Sequence, residues 1–410
     1  MLETMPLRHV AEVRVSNVDK KSVEGEAAVR LCNYTDVYYS NEIRDDRDFM
    51  AATATKSQIE RFRLAVGDTI VTKDSETADD IAVPAYVAET ADDLVCGYHL
   101  AMLRPRVERV EPRFLAWAIR SDFCKEQFSV SATGVTRYGL KYEAMLGVSV
   151  PTPLLDVQRK IADFLDDQVS RIDEAVRLRR EQLDLLNARL ESALEALLVT
   201  PFPDSEPLAR LTDPSRPIQY GIVLPGPDTE GGVPIIKGGD VASHRLRLDL
   251  LKRTTHEIDA QYSRSRVKAG DLVIAIRGSV GEIGRVPDEL TGANLTQDSA
   301  RIAPLGCDAD WLYAVLETPT VQSRMREMIT GATVKGINIG DLRRIEVPTP
   351  ASLHIQRELG REASRLRSET NEVRSLCRES NSLLEERKRS LITAAVTGEF
   401  DVTTASGRGV

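Results

Sequence analysis

Two stretches of this chain hold a helical period far longer than most globular helices need. Between residues 155 and 198 there is neither Gly nor Pro, and apolar side chains return in alternating steps of four and three. They stand at Leu165, Val169, Ile172, Val176, Leu183, Leu186, Leu190, Ala193 and Leu197. That spacing predicts a coiled-coil seam, broken only where Arg179 takes an apolar turn. Residues 353–396 carry a weaker seam through Leu359, Ala363, Leu366, Thr370, Val373, Cys377, Ser380, Leu384, Arg387 and Leu391. A helix of this length runs about 66 Å at 1.5 Å per residue, and with a single apolar stripe it needs a partner. The other long helix is the obvious one. Pro201, Pro203 and Pro207 close the first helix, and Gly398 closes the second.

The rest of the chain alternates on a shorter scale. Runs rich in β-branched residues at 69–72, 81–87, 272–276 and 301–303 read as strands, and Gly, Pro and Asp between them read as turns. Helical patches at 112–120 and 311–316 interrupt the strands. The halves also repeat each other. Val150-Pro151-Thr152-Pro153 recurs as Val347-Pro348-Thr349-Pro350, and the loop Gly134 to Gly139 recurs as Gly331 to Gly336. Gln158-Arg159 returns as Gln356-Arg357, Val199-Thr200 as Val396-Thr397, and Val66-Gly67-Asp68 as Ala269-Gly270-Asp271. The matches keep their order along the chain, so two copies of a unit of about 200 residues are expected. Each is an α+β globular domain followed by a long helix, and the two helices are expected to pack as an antiparallel coiled coil with a pseudo-two-fold internal repeat.

Composition narrows the function. The chain has 410 residues, 42% hydrophobic and 29% charged, which excludes wholesale disorder and collagen-like order. No apolar run approaches the roughly 18 residues of a membrane span, and the first residues lack the basic-then-apolar pattern of a secretory signal. Five cysteines without a C-x-x-C pair argue against structural zinc and a disulfide framework, so a cytoplasmic location is expected. A net charge of −9 at first sight disfavours a polyanionic partner, but phosphate contact depends on a local basic face more than on the total.

Catalytic signatures are sparse. Five histidines are scattered without metal-ligand spacing. The loops Gly134 to Gly139 and Gly331 to Gly336 have the glycine spacing of a phosphate loop but continue Leu-Lys and Ile-Asn, where Lys-Ser/Thr is required. There is no Asn/Asp-Pro-Pro-aromatic segment for holding a flipped base and no Gly-rich cofactor loop. Ser279, in Arg277-Gly-Ser-Val-Gly281, is not a nucleophile elbow. A chain that is not itself an enzyme is expected.

The string Ala132-Thr-Gly-Val-Thr-Arg-Tyr-Gly-Leu140, followed by Val150 to Pro153, Gln158 to Ala162, Phe164-Leu165-Asp166 and Ile172-Asp173, resembles the first conserved helical region of DNA-specificity subunits of type I restriction-modification systems. Residues 331–400, ending Val396-Thr-Gly-Glu-Phe400, resemble the second, although Glu-Leu-Gly360 stands where the first copy has Lys-Ile-Ala162. Thr72 to Ser75 and Gly270-Asp271-Leu-Val-Ile are similar to patterns in that family's target recognition domains. The resemblance implies target recognition domains at 1–150 and 208–348, helical spacers at 151–200 and 349–399, a linker at 201–207 and a flexible tail at 400–410. It implies that each domain reads one half of a bipartite, asymmetric site on double-stranded DNA, while the helices set the spacer and dock two modification (methyltransferase) subunits. Motor-nuclease restriction subunits complete such complexes. S-adenosylmethionine, ATP and Mg then belong to the partner subunits, with no cofactor in this chain. The alternative is a two-headed coiled-coil adaptor that binds proteins.

Base edges are read by Arg, Lys, Asn or Gln, whereas phosphates accept any donor. Loop residues of these types are the candidate DNA contacts: Tyr38, Asn41, Lys73, Ser75, Thr133, Thr136, Arg137 and Tyr138 in the first domain, and Lys237, Arg277, Ser279, Thr333, Lys335 and Asn338 in the second. Tyr34 and Tyr39 extend the aromatic cluster around Tyr38, and His244 and Arg247 are further phosphate candidates.

Overall fold

The computed structural model describes residues 3–242, 244–330 and 335–402. Its chain divides into two compact units, residues 1–179 with 379–410, and residues 180–378. Each unit holds one globular head and a stretch of both long helices.

The first long helix is Leu155–Leu198 and the second is Leu353–Thr397. In unit 1 the two run antiparallel: Asp173 meets Lys388 (Nζ to Oδ1 2.8 Å), and the ring of Phe164 lies 5.5 Å from that of Phe400. Arg179, the polar break in the seam, donates from Nη1 to Ser380 Oγ. Leu165, Val169, Ile392, Ala395 and Val396 are buried together and merge with the core of head 1. The heptad reading drifts further along. Lys388 is half-buried where Arg387 was expected to face inward, Val373 is exposed, and Leu194 and Leu198 are buried in place of Ala193 and Leu197. A straight helix of 3.6 residues per turn falls out of step with a 3.5-residue repeat by about 20° per heptad, which moves the buried face on by one residue.

Head 1 is built on a five-stranded sheet in the order Ala11–Val15, Leu100–Pro105, Thr69–Thr72, Pro84–Val87, Glu42–Ile43. A three-stranded sheet packs on it, with Ala27–Cys32 antiparallel to Met50–Ala54 and parallel to Leu94–Cys96. Helices Pro112–Arg120 and Asp122–Ser131 bury Phe114 and Phe128 against the larger sheet. The head is pinned to the first long helix by polar bonds. Trp117 Nε1 donates to Asp166 Oδ1 (2.8 Å), and Arg113 reaches Asp163 and Asp166, each at 2.8 Å.

Head 2 repeats this plan with fewer strands. Its four-stranded sheet runs Gln219–Tyr220, Ser299–Ile302, Leu272–Ala275, Ile283–Arg285. Val233–Ile236 is antiparallel to Arg253–Thr254 and parallel to Asn294–Leu295, the same mixed pairing as in head 1. Helices Ala309–Leu316 and Pro319–Glu327 bury Trp311, Val321 and Met325. Glu195 and Glu317 tie this head to the helices of its own unit, through Thr320 and Arg367 respectively.

The end of the expected linker and the start of the expected tail are structured. Ser205–Pro207 is a strand antiparallel to Glu346–Pro348, matching Thr4–Pro6 against Ser149–Pro151 in head 1. Each head is therefore closed by a two-stranded neck. Phe400 and Val402 pack on the core of unit 1, so the tail does not begin at 400. Residues 403–410 lie outside the described residues.

Candidate nucleic-acid interface

In head 1 the central strand Thr69–Thr72 runs on into Lys73-Asp74-Ser75, and the continuation is clamped on two sides. Lys73 N donates to His99 O (3.0 Å), and Leu140 N donates to Lys73 O (2.8 Å). Asp74–Ser75 then pairs with Tyr138–Gly139, which pairs with Thr133–Gly134. Gly134 is required here, because a Cβ would sit 2.0 Å from Arg137 O.

This small sheet gathers side chains that are far apart in sequence. Asp74 accepts from Nη2 of Arg137, and His99 Nδ1 lies 2.8 Å from its Oδ2. Lys73 Nζ stands 5.9 Å from the centroid of the Tyr98 ring. The Arg137 side chain is 58% exposed, against 17% for Asp74. Thr133 and Thr136 are exposed on the same hairpin, while Tyr138 turns partly into the core. Tyr38 stacks on Tyr34 (centroids 5.3 Å) and donates its hydroxyl to Asp80 Oδ2 (2.6 Å). That bond to a carboxylate, with burial, pushes the Tyr38 hydroxyl up to about 12.

Two candidates in head 1 face other work. Ser75 is buried. Asn41 is exposed but donates to Asp173 Oδ2 (3.3 Å) of the first long helix. Asp74, Tyr98 and His99 join the cluster although they are not among the sequence candidates. His99 carries no motif in the sequence, and the one signal is that Asp74 adjoins Lys73.

Head 2 places its candidates at the corresponding strand end. Ile276 N donates to Asp298 O (2.9 Å) and Ile337 N to Ile276 O (3.0 Å), the same two bonds that Lys73 makes. Ile276 thus corresponds to Lys73, Arg277 to Asp74, Asp298 to His99 and Lys335 to Tyr138. Arg277 Nη1 lies 3.9 Å from Asp298 Oδ1. Gly238, next to Lys237, packs so closely that a Cβ would stand 3.0 Å from both Arg277 O and Asp298 O. Lys237 itself opens that turn, its N–H donating to Asp240.

Ser279 and Lys335 are exposed, and Ser279 donates to Glu282 Oε2 (2.9 Å). Asn338 caps the helix Ile339–Arg343, accepting from Asp341 N at 2.8 Å, which commits its carbonyl oxygen. Thr333 lies outside the described residues. Within unit 2 a cavity of about 1340 Å³ opens beside Ser279 and Lys335, and Arg326, Arg374, Arg378 and His244 also line it. Arg247 lies elsewhere, paired with Asp249.

Among the described residues no group of three or more His, Cys, Asp or Glu side chains is placed to hold a metal ion. No helix among them is long and apolar enough to cross a membrane. What the two strand ends offer is hydrogen-bond donors and positive charge on exposed loops, which suits a polar, anionic ligand.

No family model matches the chain. It is 26% identical over 299 residues to the type I restriction enzyme EcoBI specificity subunit of Escherichia coli, a match spanning 66% of this chain and 62% of that protein. It is 22% identical over 372 residues to the putative type I restriction enzyme MjaX specificity subunit of Methanocaldococcus jannaschii, covering 85% of this chain and 82% of that one. In fold it is similar to a chain solved in work on complex assembly and conformational transition of the type I R-M system, with a TM-score of 0.72, 18% identity, and 97% and 98% of the two chains covered. The HsdS subunit from Thermoanaerobacter tengcongensis is also similar, with a TM-score of 0.52, 19% identity and 97% of each chain covered.

Proposed function

We propose that this chain is a specificity subunit of a type I restriction system, in which each head reads one half of a bipartite site on double-stranded DNA. The observation that carries this reading is the shared strand end of the two heads: one backbone frame, clamped by the same pair of hydrogen bonds, presents Asp74 and His99 in one head and Arg277 and Asp298 in the other. A repeated scaffold with different polar side chains at one place is what two unlike half-sites need.

The chain is then not an enzyme by itself. Methyl transfer and cleavage fall to two modification subunits and to motor-nuclease subunits, which supply S-adenosylmethionine, ATP and Mg. Exposed leucines on the long helices, Leu178 and Leu383 in unit 1 and Leu185 and Leu376 in unit 2, support docking of partner helices there. The cysteines, all unpaired, fit a reducing cytoplasm.

Selection from a pool of random-sequence duplexes by the full chain, co-expressed with a modification subunit, tests the reading. A split consensus is expected, and its affinity falls steeply between about 50 and 200 mM salt as bound phosphates release counterions. Enrichment of no sequence, with binding indifferent to salt, would overturn it.

A further inference from the structure

We propose that each head reads one guanine with a single arginine held from behind by a carboxylate: Arg137 on Asp74 in head 1, and Arg277 on Asp298 in head 2. The inference rests on the DNA-recognition reading and adds the residue and the base.

The correspondence between the heads brings out the pattern. At the position where head 1 has the acid Asp74, head 2 has Arg277, and where head 1 has His99, head 2 has Asp298. The polarity is reversed, yet each strand end still carries one arginine and one carboxylate. In head 1 the arginine comes from the hairpin, 63 residues from its acid. In head 2 it comes from the strand itself. Two different routes to the same pair are hard to attribute to the repeat alone.

The geometry supplies the fork that base reading needs. With the Nδ1–H of His99 donating to Asp74, Arg137 spends one Nη2 hydrogen on Asp74 and keeps the other, while Arg277 Nη1 stands 3.9 Å from Asp298 Oδ1 as an ion pair; neither guanidinium has another side-chain ion pair among the described residues. Arg137 is tethered at one corner and keeps a two-donor edge, and Arg277 is steered by the charge of Asp298 and keeps its edges. A tethered guanidinium loses less rotamer freedom on binding, and its remaining edge can make the two parallel bonds that O6 and N7 of guanine accept. The Arg277 side chain is 46% exposed, so the edge is reachable. Gly336 holds this site open, since a Cβ there would come within 3.1 Å of Arg277 Cγ.

Lysine separates the two kinds of contact, because it keeps the charge that a phosphate needs and loses the fork that guanine needs. The full chain with its modification subunit is taken through selection on random-sequence duplexes as wild type, R137K, R137Q, R277K and R277Q. We expect a G·C pair in each wild-type half-site. R137K and R137Q should lower discrimination at one such position by about 5- to 100-fold, leaving the other half-site unchanged, and the Arg277 variants should do the same in the other half. D74N, which keeps the shape and removes the tethering charge, should weaken discrimination at the Arg137 position. A wild-type preference retained by R137K or R277K overturns the proposal, as does a loss of affinity that is uniform across sequences. If the wild type itself enriches no sequence, the recognition reading falls and this inference with it.

Discussion

Gln158, buried near the start of the first long helix, accepts from the backbone N–H of Glu111 at 2.8 Å, and that N–H belongs to the N-cap residue of a helix in head 1. Its Nε2 donates to Pro153 O at 2.8 Å. Gln356 repeats the arrangement in unit 2, accepting from Asp308 N at 2.9 Å and donating to Pro350 O at 3.1 Å. One amide thus fastens a head to its helix by satisfying a donor and an acceptor that would otherwise be buried unpaired.

Gln158→Met, which keeps length and loses these bonds and a third from Nε2 to Arg109 O (3.3 Å), should destabilise unit 1 by about 1 to 3 kcal/mol. The chain has 2 tryptophans, Trp117 and Trp311, one in each unit, so single-tryptophan variants report the units separately during urea unfolding. The Trp117 transition should move to lower urea and the Trp311 transition should stay. Equal shifts in both, or none, would show that the amide does not act locally.

Gly360 explains why the second helix departs from the Lys-Ile-Ala162 pattern of the first. A Cβ at this position would stand 2.7 Å from both Asp308 Oδ1 and Trp311 N, at the capped start of the helix Ala309–Leu316. Alanine ordinarily stabilises an exposed helix interior by about 1 kcal/mol over glycine. Here Gly360→Ala should instead lower the unfolding midpoint reported by Trp311, because it forces the cap apart. A raised midpoint would mean that the two helix segments move apart at no cost.

Much of the fold was legible because its signals are local. The first long helix keeps the bounds that Gly and Pro punctuation gave it, as does Pro112–Arg120 with its N-terminal proline. The expected strand at 81–87 shrinks to Pro84–Val87, since Ala82 adopts φ +60° where its N–H turns back to Thr72 O. Ser205–Pro207 gave no strand signal because its only partner, Glu346–Pro348, lies at the far end of head 2. The Asp74, His99 and Arg137 cluster was illegible for the same reason: 25 and 38 residues separate its consecutive members, and only the sheet brings them together.

The bond from Lys388 to Asp173 should leave a mark on alkaline stability. Burial alone would lower the pKa of Lys388, but hydrogen bonds to Asp173 and Glu385 outweigh it and hold the ammonium above its ordinary 10.5. A folded-state pKa above the unfolded value gives stabilisation that is complete below 10.5 and disappears as pH rises through the folded value. Unit 1 of the wild type should therefore lose stability above that pH faster than Lys388→Met, measured as the difference between their Trp117 transitions. Parallel curves would show that the pair contributes nothing across the seam.

The paired necks set the rule for exchanging heads. Residues 208–345 are enclosed by Ser205–Pro207 and Glu346–Pro348, so a relative's head spliced between these strands inherits a closed base. The splice keeps the host's Gln356 and Arg367, and the incoming head must offer a backbone N–H where Asp308 stands and a carboxylate where Glu317 stands. Head 1 shares none of these bonds and has its own neck, Thr4–Pro6 with Ser149–Pro151. The exchange should then alter one half of the selected DNA sequence and leave the other unchanged, because the Arg137 hairpin is untouched. Sequencing of duplexes enriched by the chimaera with its modification subunit provides the test. Loss of both halves from a chimaera whose Trp117 transition is unshifted would mean that recognition is not divided between the heads.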